Sequence, residues 1–229
     1  MSEEVRRMFA SISDRYDLLN SVLSLGVHHR WRTKTVRMSG ASEGMSVLDC
    51  ATGTGDLAIA FKKAVGTTGR VVGTDFCAEM LGPAPEKSRR QGVEVDWEVA
   101  DAMDLPYDDD RFDISSIAFG IRNVDDPLTA LSEMARVVRP NGKVMVLEFG
   151  QPYGIMKHPF RWHSKYVIPV LGGWISGNRD AYHYLPETSA RFPADERFLS
   201  LMKSTGRFKS FEYKPLMQGI AYIYMGIVR

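Results

Sequence analysis

Two glycines one residue apart, Gly53 and Gly55, follow a short apolar run, Val47-Leu48-Asp49-Cys50. Lacking a Cβ, glycines let backbone N–H groups approach a ligand closely, and a loop that opens a helix gathers those groups at the helix N-terminus. A second apolar run, Val71-Val72-Gly73-Thr74, ends in Asp75. A carboxylate placed there can accept hydrogen bonds from both hydroxyls of a ribose. The spacing therefore predicts an adenosyl cofactor. Read as Gly53-x-Gly55-x-x-Ala58 followed by Asp75, it also satisfies the dinucleotide fingerprint, so a nicotinamide-dependent oxidoreductase fits the loop equally well.

Three further features favour S-adenosylmethionine. Asp49 could hold a ligand amine or order the loop, and a dinucleotide has no such amine. Asp101-Ala102 follows a third strand, placed for an adenine ring and its exocyclic amine. The third is a pair of closely spaced strands at the end of the chain. Asp49 and Asp101 could equally be caps of a turn or helix, a common role for Asp after a strand.

The elements that position these residues alternate. Apolar runs at Ser46–Ala51, Arg70–Asp75, Val95–Ala100, Phe112–Phe119 and Lys143–Phe149 leave room for helices between them. Between the last two, Leu128, Leu131, Met134, Ala135 and Val138 fall on one helical face, with Pro127 at its start and Pro140-Asn141-Gly142 after its end. Alternation of this kind predicts an α/β fold, an open, mostly parallel sheet with helices on both faces. Ser210–Leu216 and Ile220–Val228 must form a hairpin, so one of them runs antiparallel to the rest. A sheet of this type is typical of class I methyltransferases, with a Rossmann-like arrangement of seven strands. Ahead of the sheet, apolar residues at three- and four-residue steps from Val5 to Leu25 predict one amphipathic helix in a helical segment spanning 1–40. A second segment, 152–193, interrupts the alternation and is rich in aromatics, Pro and His.

The bulk properties set bounds. The chain has 229 residues, 44% of them hydrophobic, enough for one large core and a single domain. Its net charge of +1 gives no electrostatic case for nucleic acid. Two cysteines, Cys50 and Cys77, make neither a disulfide framework nor a metal site. The N-terminus lacks an apolar signal core, which predicts a cytoplasmic protein, and the longest apolar stretch, Tyr166 to Ile175, is half of the ~20 residues a spanning helix needs.

Longer blocks then resemble one family. Tyr16-Asp17-Leu18-Leu19-Asn20-Ser21-Val22-Leu23-Ser24-Leu25-Gly26, followed by His29 and Trp31-Arg32, is similar to the first signature of the ubiquinone/menaquinone biosynthesis C-methyltransferases. Phe119-Gly120-Ile121-Arg122-Asn123-Val124, continuing to Arg136–Gly142 and Leu147-Glu148-Phe149, is similar to the second. Tyr182–Thr188 and Phe192-Pro193 resemble the family's tail region. The resemblance implies ring C-methylation of a polyprenyl quinol with S-adenosylmethionine, demethylmenaquinol to menaquinol being the expected reaction. The benzoquinol step of ubiquinone synthesis, or another small acceptor, is the alternative. It places cofactor contacts on Thr54, Asp75, Asp101 and Ala102, beside Asp49, Gly53 and Gly55 from the loop. Two positions depart from the family: Thr52 stands where Gly is frequent, and Ala118 stands where many members have a Ser at the cofactor site.

A ring carbon is a poor nucleophile until a neighbouring hydroxyl loses its proton. Arg122 is expected to stabilise the resulting phenolate or help a water take the proton, with Asn123 orienting the ring oxygens. The plainer reading of Arg122 is a structural salt bridge. Tyr16 and His183 are second-tier catalytic candidates. Tyr153, Ile155, Phe160, Trp162, Tyr166 and Trp174 would supply a groove for the polyprenyl tail, and His158, Arg161 and Lys165 could face lipid headgroups. The expected partners are thus a quinol and a transient membrane-surface contact, with no metal and no nucleic acid; a homodimer is left open.

Overall fold

The computed structural model describes residues 3–13, 16–167 and 192–229. Its centre is one seven-stranded sheet: β1 Ser46–Cys50, β2 Arg70–Asp75, β3 Asp96–Val99, β4 Phe112–Ala118, β5 Val138–Phe149, β6 Phe208–Leu216 and β7 Ala221–Val228, in the spatial order β3-β2-β1-β4-β5-β7-β6. β7 pairs antiparallel with both β5 and β6, and the remaining pairings are parallel. The strand order reverses between β1 and β4, which opens a crevice at the carboxyl ends of the strands.

The helices are α1 Glu3–Ile12, α2 Tyr16–Leu23, α3 Val27–Ser39, α4 Asp56–Val65, α5 Ala78–Leu81, α6 Ala84–Arg90, α7 Pro127–Arg136, α8 Lys157–Trp162 and α9 Glu196–Ser204. The period-two alternation of the strands sends neighbouring side chains to opposite faces. Val47, Val71, Met145 and Leu147 pack under α3 and α4 with Trp31 and Phe61. Leu48, Val72, Val144 and Val146 face α7 and α9 with Leu131, Met134 and Phe198.

Two sequence expectations shift. The segment from Val5 to Leu25 is two helices, followed by a third. Ser11 and Ser13 donate to the carbonyls of Met8 and Ala10 (2.7 and 3.1 Å), satisfying the last turn of α1 and competing with its continuation. The α2–α3 turn uses Leu25 and Gly26, both left-handed at φ 51° and 72°. The fifth strand starts at Val138, inside what reads as a helix face. It passes through Pro140-Asn141-Gly142 with a register break against β4, taken up by Asn141 at φ 71°. The 152–193 segment begins with a short 3-10 turn at Gly154–Met156, then α8 and a π-helical turn over His163–Val167. The rest of it up to residue 191, including His183 and Trp174, lies outside the described residues.

Candidate active site

The cleft is assembled from the ends of four parallel strands. β1 supplies Ala51 and Gly53, β2 supplies Asp75, Phe76 and Cys77, β3 leads into Ala100, Asp101 and Ala102, and β4 gives way to Ala118, Phe119 and Gly120. Asn123 and Val124 also line it, and Phe9 and Tyr16 come over from α1 and α2. The empty space, its mouth included, is about 620 Å³.

The loop after β1 is built from alternating left-handed residues: Ala51 (φ 46°), Gly53 (57°) and Gly55 (85°). Gly53 N donates to Asp75 Oδ2 and Cys77 N to Asp75 Oδ1, each at 2.9 Å, so one carboxylate organises the ends of two strands. A Cβ on Gly53 would lie 3.4 Å from Met80 Cε and 3.9 Å from Tyr16 Cε1, on the cleft side. Gly55 has a different reason. Its Cβ would fall 2.3 Å from Trp97 Cη2, and one on Gly73 would fall 2.5 Å from Trp97 Cζ3. The Trp97 indole therefore lies across both glycines, and Gly55 answers to packing and its positive φ, not to a ligand.

Asp49 does not line the cleft. Its Oδ1 accepts from Ser116 Oγ and its Oδ2 from Thr52 Oγ1, both at 2.6 Å, and it is 1% exposed. Of the two readings, holding an amine or ordering the loop, the geometry selects the second. Thr54 is likewise turned away from the cleft, its hydroxyl donating to Asp17 Oδ1 at 2.5 Å. Asp101 accepts from Met103 N at 2.9 Å, and Ala102 is buried beside it in the cleft wall.

Burial raises the Asp49 carboxyl from the ordinary 3.8 to about 6, although Ser116 and Thr52 favour the charged form. Burial raises Asp75 to about 6 as well, against the Cys77 and Gly53 amides. For both groups the folded pKa exceeds the unfolded one, so stability is complete below about pH 4 and declines as pH rises through about 6. Asp49→Asn tests this. Its NH2 can donate to a hydroxyl that rotates to accept, so the loop geometry survives. Relative to wild type, the variant should gain stability between pH 4 and 7.5, by up to about 3 kcal/mol, in urea unfolding. A pH-independent difference between the two proteins would show that Asp49 keeps an ordinary pKa.

Cys77 lines the cleft, and burial together with the Glu79 carboxylate pushes its thiol up to about 11. At neutral pH it stays a thiol, a weak nucleophile.

Arg122 does not reach the cleft, contrary to the expectation that it meets the substrate. Its Nη1 lies 2.5 Å from Glu148 Oε1 and 2.7 Å from Phe119 O, and its guanidinium stacks 5.4 Å from the Phe149 ring. The side chains of the pair are 4% and 0% exposed. Hydrogen bonding to Phe119 O holds Phe119 in its left-handed conformation (φ 57°) and with it Gly120, both of which wall the cleft. Arg122 thus sits one layer behind the residues that Asn123 joins. Sequence reasoning missed Phe9, Ala51, Met80 and Phe119; aromatic and apolar residues there read as ordinary core.

The first signature block acquires a physical meaning. Ser24 Oγ donates to Asn20 O and lies 2.5 Å from His28 Nδ1, bracing the turn between α2 and α3. Trp31 packs into the core, and Arg32 Nη1 lies 2.7 Å from Asp56 Oδ2. His28, His29 and Asp56 come within ligating distance of one another. Asp56, however, is already neutralised by Arg32 and Lys87, and two cations at hand oppose a third.

The strand order, the reversed last strand and a cleft that joins a glycine loop to an acidic residue at the end of β2 define a class I methyltransferase. Residues 1–228 match the ubiE/COQ5 methyltransferase family. The chain belongs to that family, and its methyl donor is S-adenosylmethionine. It is 54% identical to the ubiquinone/menaquinone biosynthesis C-methyltransferase UbiE of Bdellovibrio bacteriovorus, over 99% of this chain and 97% of the relative. It is 43% identical to the demethylmenaquinone methyltransferase of Deinococcus radiodurans, over 98% and 92%. In fold it resembles a SAM-dependent methyltransferase from Aquifex aeolicus, with a TM-score of 0.60 at 19% identity over 86% of this chain and 89% of that one.

Proposed function

We propose that the chain methylates a ring carbon of a polyprenyl quinol, demethylmenaquinol foremost, beside Asn123 in the cleft. One observation supports the reading above the others. Gly53, Asp75, Ala102, Tyr16 and Asn123 all open into the same cavity at the switch point of the sheet. The residues suit the donor: Gly53 leaves room that a side chain would fill, Asp75 is held by two amides and can still accept ribose hydroxyls, and Ala102 and Val124 offer apolar surface to a base.

Bound there, S-adenosylmethionine supplies a methyl group on a sulfonium, open to in-line attack. The residues must hold the acceptor ring against it, and positioning of this kind accounts for much of the rate. Asn123 can orient a ring oxygen through its amide. Arg122 works behind it, fixing the Phe119-Gly120 turn. Cys77, kept protonated, does not compete for the methyl group.

The tail has a site in the 152–193 segment. Met156 and Phe160 turn inward to pack against the sheet, while Ile155 and Trp162 point outward, 80% and 62% exposed. Lys157, His158 and Arg161 stand among them. Such a surface suits a lipid tail and a transient contact with headgroups of a membrane's inner face. No helix among the described residues is long and apolar enough to cross a membrane.

Labelled S-adenosylmethionine offered with tail-less and long-tailed naphthoquinol and benzoquinol acceptors tests the proposal. Label should enter the naphthoquinol ring, and Ile155→Ser/Trp162→Ala should raise KM for the long-tailed acceptor alone. No label in any quinol would sink the reading; equal effects on both tail lengths would sink the groove.

A further inference from the structure

Behind the glycine loop lies a cluster of four charges that the methyl transfer itself does not use. Arg32 and Lys87 supply two positive charges, Asp17 and Asp56 two negative ones. Asp56 bonds Arg32 through Oδ2 and Lys87 through Oδ1, and the two cations hold its carboxyl below the usual range although burial pushes it up. Lys87 Nζ also lies 2.6 Å from Asp17 Oδ2 and 3.2 Å from Thr54 Oγ1. Thr54 Oγ1 in turn donates to Asp17 Oδ1. Three of the charged side chains are no more than 20% exposed, whereas Asp17 is 42% exposed.

Asp17 also differs in where it comes from. Arg32, Asp56 and Lys87 sit on α3, α4 and α6, which pack on the sheet or the loops beside it. Asp17 sits in the first turn of α2, next to Tyr16. Tyr16 and Phe9, whose rings meet edge to face at 6.3 Å, are the two residues that α1 and α2 contribute to the cleft. On the far side α1 is tied to the body by Arg6, whose Nη1 lies 3.3 Å from Glu79 Oε1, in a pair open to solvent. Asp17 ties the N-terminal wall of the cleft to the glycine loop.

We propose that Asp17 is a positioning residue for the methyl donor: by accepting from Thr54 and Lys87 together, it seats Tyr16 against Gly53 and closes the cleft over the bound adenosyl group. The proposal rests on the cleft being the S-adenosylmethionine site. Thr54, at the centre of the glycine loop, then serves the cofactor through its partner on α2 and not through its own contact. Because Asp17 is partly exposed, its ion pair is the part of the cluster that salt weakens most. Losing it would leave Arg32, Asp56 and Lys87 with an uncompensated positive charge but an intact buried pair, so the fold should persist while the wall loosens.

Calorimetric binding of S-adenosylhomocysteine to Asp17→Asn, Thr54→Val and the double variant, with melting curves for each, decides the matter. Asp17→Asn should weaken binding roughly tenfold, about 1.4 kcal/mol, and shift the melting temperature little. Adding Thr54→Val should weaken it no further, because both changes break one contact. In wild type the dissociation constant should rise with KCl more steeply than in Asp17→Asn. Binding by Asp17→Asn within twofold of wild type, or single effects that multiply in the double variant, would overturn the proposal. If Asp17→Asn does not fold, Thr54→Val alone decides by the same threshold. Wild-type protein that binds no S-adenosylhomocysteine would overturn instead the placement of the donor in this cleft.

Discussion

Glu148→Ala should destabilise the protein by about 3–5 kcal/mol in urea or thermal unfolding, a large share of a typical domain's stability. The substitution leaves the Arg122 guanidinium buried, with the Phe119 carbonyl and the Phe149 ring as its remaining partners among the described residues. The pair is also imperfect as built. Arg122 Nε and Glu148 Oε2 find no hydrogen-bond partner among the described residues, and burial pushes the Glu148 carboxyl upward against the pull of Arg122. A half-satisfied buried pair is expensive relative to apolar packing, so Arg122→Met/Glu148→Leu should recover most of the stability that Glu148→Ala loses. It should not recover turnover, because the tie to Phe119 O is gone and the cleft wall at Phe119-Gly120 is free to move. A double variant as unstable as the single one would show that the pair is not the origin of the loss.

Asp75 is the second position where a large effect is expected. Both its oxygens accept from backbone amides, which cannot reverse direction as the hydroxyls around Asp49 can. Asp75→Asn must set an NH2 against one of those amides, and Asp75→Ala leaves two buried donors without an acceptor. As the proposed acceptor for both ribose hydroxyls, Asp75 contributes two charge-assisted hydrogen bonds of about 1.5–3 kcal/mol each. Either variant should therefore weaken S-adenosylhomocysteine binding by on the order of 10²–10⁴-fold, read by calorimetry. Asp49→Asn, two strand positions from the same loop, should leave binding within a few-fold. Equal losses at the two positions would mean that loop order, and not ribose recognition, sets the affinity.

The contrast between these two aspartates shows what was legible in the sequence. Both end apolar runs, and both read as candidates for the same site. The strand alternation, the terminal hairpin and the Gly53–Asp75 pairing follow from local rules of period and spacing, and the sheet has them. Whether a carboxylate faces a cleft or a neighbouring strand depends on side chains far away in the chain. Asp49 is consumed by Ser116, and Arg122 by Glu148, a partner 26 positions on. Nothing in the local pattern around Arg122 distinguishes a substrate-facing guanidinium from a buried one. The cleft walls Phe9 and Phe119 were hidden for the opposite reason, since apolar residues in helices and strand ends read as core.

The Trp97 indole has a consequence for how this sequence can change over time. It lies on an edge strand, yet it covers Gly55 in the first loop and Gly73 in the second strand. A larger residue at either glycine collides with the ring, and a smaller residue at 97 leaves a hole that both glycines border. The three positions are thus bound to drift together or not at all. The second glycine of the motif is written into the chain by a tryptophan that does not line the cleft.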